Sequence, residues 1–349
     1  MATGEGPRPT TEEPPLQTGS ASLPQNANSL PPQEWPAMFR PQYPVPTAIS
    51  LLIFGTIWGV LARLGLRWIG KFGDGQVFAL VWAQMAGCLI MGIAIRKKSD
   101  IERVFPPLFV LCGTGFCASL TTWASMIDDV FTQFANLDEP AGTSRFQAFL
   151  SGMAILIVTV ATSVTAFQTG RHIGSWIPKK RPHDEPATGN ALVNTISLVI
   201  GPLFWLGSLF LLIFGPAAWR SRATFAIVVA PPATILRYFT SKKLNPLSKR
   251  FPIGTFTVNS VSVLVFAVMA LLARHPRSQL GCAALRGVQD GFCGSLSTIS
   301  TLVVEVRGLG TGDSYRYLIA SWIVSMALFT VVLGPWVWSD DRGPLCWER

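Results

Sequence analysis

Two short stretches place ion-handling side chains inside apolar sequence. Asp290 to Glu305 reads DGFCGSLSTISTLVVE, with Gly291 and Gly294 followed by Ser297, Thr298, Ser300 and Thr301. Gly115 to Asp129 reads GFCASLTTWASMIDD, with Thr121, Thr122 and Ser125. Setting Phe116 on Phe292 brings the two into register, and Asp129 then falls on Glu305. Glycine weakens a helix by about 1 kcal/mol against alanine. A helix interrupted within a membrane needs its freed backbone groups satisfied by protein, ion or water. Hydroxyls beside such a break can donate to an anion without the grip of a full cation, which suits conduction. Their competing use is to bond back to carbonyls of their own helix. Glu305 and Asp129 close the stretches, where the competing reading is a solvated helix end.

Two arginines and two amides recur at nearly the same spacing. Arg63 and Arg237 are 174 residues apart, Gln84 and Asn259 are 175 apart, and Phe116 and Phe292 are 176 apart. An arginine within an apolar run costs at least ~2.5 kcal/mol and faces a pore or a partner, unless it snorkels to the headgroups. Asn259 and Gln84 offer N–H donors to an anion, or else hydrogen-bond between helices for about 0.6 kcal/mol. Gln84 is longer than asparagine, so unequal geometry is expected in the two copies.

The elements that position these residues are membrane spans. Of the 349 residues, 49% are hydrophobic and 13% charged, and the mean hydropathy is +0.40. Soluble domains average about 25% charged. The net charge of +9 is spread in short clusters between apolar runs rather than in a basic patch interleaved with aromatics, so no nucleic-acid partner is expected. His172, His183 and His275 do not cluster and the six cysteines form no CxxC pair, which argues against a metal site or an enzyme. Apolar runs of spanning length lie near 46–69, 76–95, 107–127, 147–169, 191–215, 223–241, 252–273, 285–305 and 315–338. The expectation is an all-α membrane protein of nine transmembrane helices.

Residues 1–45 read as a disordered Pro/Gln/Ser-rich tail. Basic loops at Arg96, Lys97, Lys98 and Arg103, at Arg171, Lys179, Lys180 and Arg181, and at Lys242, Lys243, Lys249 and Arg250 mark the cytoplasmic side. Asp128, Asp129, Asp138 and Glu139 then fall outside, with the N-terminus inside and the C-terminal tail 339–349 outside. Arg220, Arg222, Arg274, Arg277 and Arg286 run against that assignment. Residues 46–170 form a first four-helix repeat and 219–338 a second, with a basic loop and lone span at 171–218 between them. One extra span turns the second repeat upside down, and inverted repeats place ion sites at their interface. Each repeat carries a broken third helix.

These residues resemble the Fluc/FEX (CrcB-type) fluoride channel family in its fused two-repeat eukaryotic form. The resemblance rests on GTFTVN (Gly254–Asn259), ILRY (Ile235–Tyr238) and GFCGSLSTIST (Gly291–Thr301), and it covers residues 46–338. It implies a passive fluoride-selective channel in the lipid bilayer, a monomer with an internal pseudo-dimer. It also implies a structural Na+ held by backbone carbonyls of Ala118, Ser119, Gly294 and Ser295. Its pore asparagine maps to Asn259 and, by substitution, to Gln84; its arginine maps to Arg63 and Arg237. Its paired phenylalanines map to Trp123 and Met126 and to Ile299 and Leu302, so neither repeat keeps them. Ala79 and Leu80 stand where the first repeat would carry GT, and Ser262 replaces a glycine in the second. One pore, drawing its asparagine from the second repeat, is expected to survive.

The function expected is fluoride export across the plasma membrane, giving fluoride resistance. The alternatives are a proton- or sodium-coupled anion transporter using Glu305 and Asp129, and a non-conducting scaffold derived from the channel. Cys282 and Cys346 both fall outside in this topology, where a disulfide could join them.

Overall fold

The computed structural model describes residues 1, 44–70, 78–137, 143–178, 191–216, 221–275, 278–339 and 345–346. Nearly all of the 1–45 tail lies outside them, as do Asp138, Glu139, Lys179, Lys180, Arg181, Arg220 and Arg277.

Among the described residues every regular element is helical. The first group is α1 (Val45–Ile69), α2 (Leu80–Arg96), the short α3 (Lys98–Val104), α4 (107–120), α5 (Trp123–Phe134) and α6 (Arg145–Trp176). A lone helix α7 (Ala191–Phe214) follows. The second group is α8 (Arg222–Leu244), α9 (Ile253–Leu272), α10 (279–296), α11 (Ser300–Gly308) and α12 (Thr311–Val337). Seven segments are long and apolar enough to cross a membrane, and an eighth is added if α2 and α3, bent by 70° against each other, count as one. The chain is therefore a multi-pass membrane protein. The stretch 285–305, expected from sequence as the eighth of nine spans, is divided by the break into α10 and α11, and neither is long enough to cross alone.

The breaks fall where glycine and hydroxyl residues cluster. The backbone is extended at Thr121 and Thr122 between α4 and α5, and at Ser297 before α11. Each break follows a π-helical stretch, Val110–Cys117 in α4 and Gln289–Cys293 in α10. π-turns inside helices mark functional positions often, and no periodicity in the sequence announces these two.

Small residues bring backbones together where apolar side chains would hold them apart, as membrane helix interfaces require. A Cβ added to Gly55 would stand 2.5 Å from the Leu111 carbonyl, and one on Gly59 2.5 Å from that of Phe116, so α1 lies directly on α4. Gly92 and Gly170 likewise hold α2 and α6 backbone to backbone. α6 begins with a capping box, in which Ser144 accepts from the Gln147 N–H at 3.2 Å and Gln147 from the Ser144 N–H at 2.8 Å.

Contacts recur in equivalent pairs, both within the groups and between them. α2 packs on α6 as α9 packs on α12, and α5 meets α9 as α11 meets α2. A single large core joins the groups and contains Trp123, Met126, Phe167, Phe266, Ile299, Leu302, Tyr317 and Phe329. Two placements differ from expectation. Asp128 and Asp129 belong to α5, and Lys242 and Lys243 to the last turn of α8, because the polar residues extend helices rather than open loops.

Candidate functional site

The two breaks cross and cap one another. Thr121 Oγ1 accepts from the N–H of Ser300 at 3.1 Å, and Ser297 Oγ accepts from the N–H of Ala124 at 3.1 Å. Each hydroxyl thus satisfies an N–H at the start of the helix beyond the other break, a group no helical bond can reach. Thr121 shares a hydrogen bond with Thr298 at 3.2 Å, and Thr122 shares one with Ser297 at 3.1 Å. Thr121 also donates to Ser300 at 3.1 Å. Thr122 caps Ser125, and Thr298 caps Thr301. The i−4 bonding expected as the competing use is present as well: Thr121 reaches the Cys117 carbonyl and Ser297 that of Cys293.

The two amides close the breaks of their own groups. Gln84 donates to the Thr122 carbonyl at 2.6 Å and accepts from the Thr122 N–H at 3.1 Å. Asn259 does the same at Thr298, at 3.4 Å and 2.9 Å. The partners are equivalent but the geometry is unequal, as expected from the extra methylene: Gln84 donates at 2.6 Å where Asn259 donates at 3.4 Å. Ser262, in the position of the missing glycine, donates to the Cys293 carbonyl at 2.6 Å.

The arginines reach across. Arg63 is 1% exposed and Arg237 3%, so neither snorkels. Arg63 donates to the Gly294 carbonyl at 2.6 Å and to that of Asp290. Arg237 donates to the carbonyls of Ala118 at 3.2 Å, Thr114 at 2.5 Å and Ser295. Three of the four carbonyls expected to hold sodium thus accept from guanidinium groups. Ser119 uses its side chain on Thr234 at 3.3 Å. These residues do not fit a carbonyl-held Na+, which would meet two cations on the same oxygens.

Glu305 is not a solvated helix end. It is 0% exposed and accepts from Tyr317 at 2.7 Å, Asn245 at 3.2 Å and Thr255. Asn245, Thr255 and Tyr317 were missed by the sequence reading. A fully buried carboxylate requires such donors. Tyr317, Ser321 and Ser325 follow at four-residue spacing along one face of α12, and that spacing was a legible signal. Ser325 accepts from the Trp123 indole at 2.8 Å. The buried Ser321 hydroxyl has no hydrogen-bond partner among the described residues. Met126, Ile299 and Leu302 are buried core side chains beside Trp123.

Asp129 lies apart from Glu305 and pairs with Arg67 at 3.9 Å. Arg67 is also 3.9 Å from Asp290, whose carboxylate accepts from Arg222. Asp290, Arg67 and Arg222 escaped the sequence reading as a cluster because they come from three separate helices. They line a cavity of about 360 Å³ together with Ala79, Leu80, Asp128, Phe266, Arg274, Arg286, Trp336 and Leu345. Beside Leu345, Cys346 is bonded to Cys282, a pairing the sequence left open.

The profile of the CrcB-like protein family, described as Camphor Resistance (CrcB), matches residues 50–171 and again 224–335. The chain belongs to the CrcB-like family. Each match covers one group of helices with its own break, amide and arginine, so the crossing lies between two CrcB-like units. Among the relatives, Fluoride export protein 1 of Candida albicans is 32% identical over 323 residues, covering 85% of this chain and 81% of the relative. Fluoride export protein 1 of Neurospora crassa is 30% identical over 354 residues, covering 84% and 67%. The bacterial Fluoride-specific ion channel FluC of Serratia proteamaculans is 30% identical over 95 residues, which are 27% of this CrcB-like chain and 73% of the relative. No solved structure matches the chain.

Proposed function

We propose that this protein is a passive fluoride-selective channel that exports fluoride from the cytoplasm and gives fluoride resistance. The observation that carries the proposal is the reciprocal crossing of two hydroxyl-lined breaks in a buried core. Relatives spanning most of this chain are named fluoride export proteins. Fluoride is small, strongly hydrated and a strong hydrogen-bond acceptor. Hydroxyl hydrogens can rotate toward it as it passes, and the fixed amide bonds of Gln84 and Asn259 spare the backbone at the breaks from competing for it. Tyr317, Ser321, Ser325 and Trp123 extend a lane of donors from Glu305 toward the crossing. HF crosses lipid as a neutral acid and ionises inside; the potential then drives the anion out, with about 2.3 kcal/mol per charge per 100 mV.

The architecture proposed with it is nine spans, with inverted halves 46–170 and 219–338 around the linker helix, in a monomer with an internal pseudo-dimer. Equivalent helices present opposite ends to the 360 Å³ cavity: the end of α1 but the start of α8, the start of α2 but the end of α9. The disulfide on this face fits the outside of a plasma membrane. Arg96 in the last turn of α2 and Lys242 and Lys243 in the last turn of α8 sit at the ends away from the cavity, as cytoplasmic basic residues do. The 1–45 tail is then cytoplasmic and the 339–349 tail extracellular.

The test is efflux from liposomes holding the purified full-length chain, read by fluoride and chloride electrodes. Fluoride should leave rapidly and chloride stay. Equal loss of both ions, or of neither, overturns the proposal. A coupled transporter is the second reading, favoured by the fully buried Glu305. Fluoride flux that accumulates against its gradient when a pH or sodium gradient is imposed would establish it instead.

A further inference from the structure

Three of the four oxygens expected to hold sodium are the seats of two arginines. We propose that the guanidinium groups of Arg63 and Arg237 are themselves the fixed central cations of this protein, exchanged between its halves, and that its centre binds no sodium ion. The seats are equivalent. Arg63 takes the carbonyls of residues 290 and 294, and Arg237 takes those of 114 and 118, each 176 residues earlier. Arg237 adds Ser295, so both ends of the crossing are joined through one side chain.

The seats follow from the helices. Ala118, Gly294 and Ser295 belong to the last turns of α4 and α10, where carbonyls lack a helical donor and the helix dipole is negative. Thr114 and Asp290 lie in the π-helical stretches just before. A guanidinium presents five donors in a rigid planar fork, enough to occupy two or three such oxygens at once. The Arg63 seat also explains Gly294. A methyl group there would stand 2.6 Å from the Arg63 guanidinium carbon, whereas the equivalent first-half residue is Ala118.

The test is made on the purified full-length chain in detergent and does not depend on which anion passes. Binding of radioactive sodium should stay far below about one ion per chain, and the melting temperature should be the same in sodium chloride and in N-methyl-D-glucamine chloride, since a ligand bound to the folded state alone would raise it. Stoichiometric sodium binding, or a sodium-specific rise in melting temperature, overturns the proposal. Arg63→Met and Gly294→Ala disrupt one contact, so the double variant should melt no lower than the worse single variant; additive losses overturn the Arg63 seat. If a variant does not fold, the wild-type sodium measurements still decide. Fluoride flux from sodium-free liposomes should match that with sodium, and loss of flux in both media counts against the fluoride reading while leaving the sodium result standing.

Discussion

At the scale of single residues, Thr121 and Ser297 do for each other's helix what an N-cap residue does for its own. Thr121→Val keeps the shape and leaves the Ser300 N–H without its acceptor in a buried site. An orphaned buried donor costs about 1–3 kcal/mol, so the melting temperature in detergent should fall by several degrees, and Thr121→Ser should restore most of it. The amides obey the same logic. Gln84→Ala and Asn259→Ala each strip both bonds from one break. Both should therefore lower stability by a similar amount. Fluoride flux should fall further for Asn259→Ala, because the fully buried carboxylate Glu305 with its donor Tyr317 belongs to the second half. In the first half the corresponding carboxylate, Asp129, is drawn outward to Arg67. Normal flux in Asn259→Ala with lost flux in Gln84→Ala would reverse that assignment.

At the scale of elements, close backbone approach sets where the broken helices can sit. α1 reaches α4 through Gly55 and Gly59, and α2 reaches α6 through Gly92 and Gly170. Without a hydrophobic force between helices in lipid, such packing is what holds a bundle together. Gly170→Leu would drive its Cβ into the Leu89 carbonyl, and backbone cannot yield as a side-chain tip can. Overpacking costs about 1–3 kcal/mol or more. The variant should show a lowered melting temperature or fail to accumulate, while Gly207→Leu on α7, which has open space around it, should do neither. Immunoblot of the membrane fraction and a melting curve read both outcomes.

At the scale of the whole molecule, the disulfide ties the C-terminal tail beside the cavity and closes a loop across a sequence separation of 64 residues. Chain-entropy arguments put the stabilisation of such a loop at about 4 kcal/mol. Reduction should lower the melting temperature clearly. A membrane-impermeant reductant added to intact cells should free both thiols for labelling, which places the tail and the cavity outside. Protection from that reductant in intact cells, with labelling only after lysis, would turn the proposed topology over.

Much of this architecture was legible from the chain alone, because its causes are local. Spanning length and apolar content mark the helices. Glycine and hydroxyl clusters at 115–129 and 291–305 mark the breaks, and the 174–176 residue spacing pairs Arg63 with Arg237 and Gln84 with Asn259. Folding alone assigned the partners. Glu305 finds its donors 12, 50 and 60 residues away, and Arg63 docks 231 residues ahead on Gly294. No spacing rule links such positions. They meet because buried polar groups in lipid must satisfy one another, and which groups are near enough depends on how the two halves lie against each other.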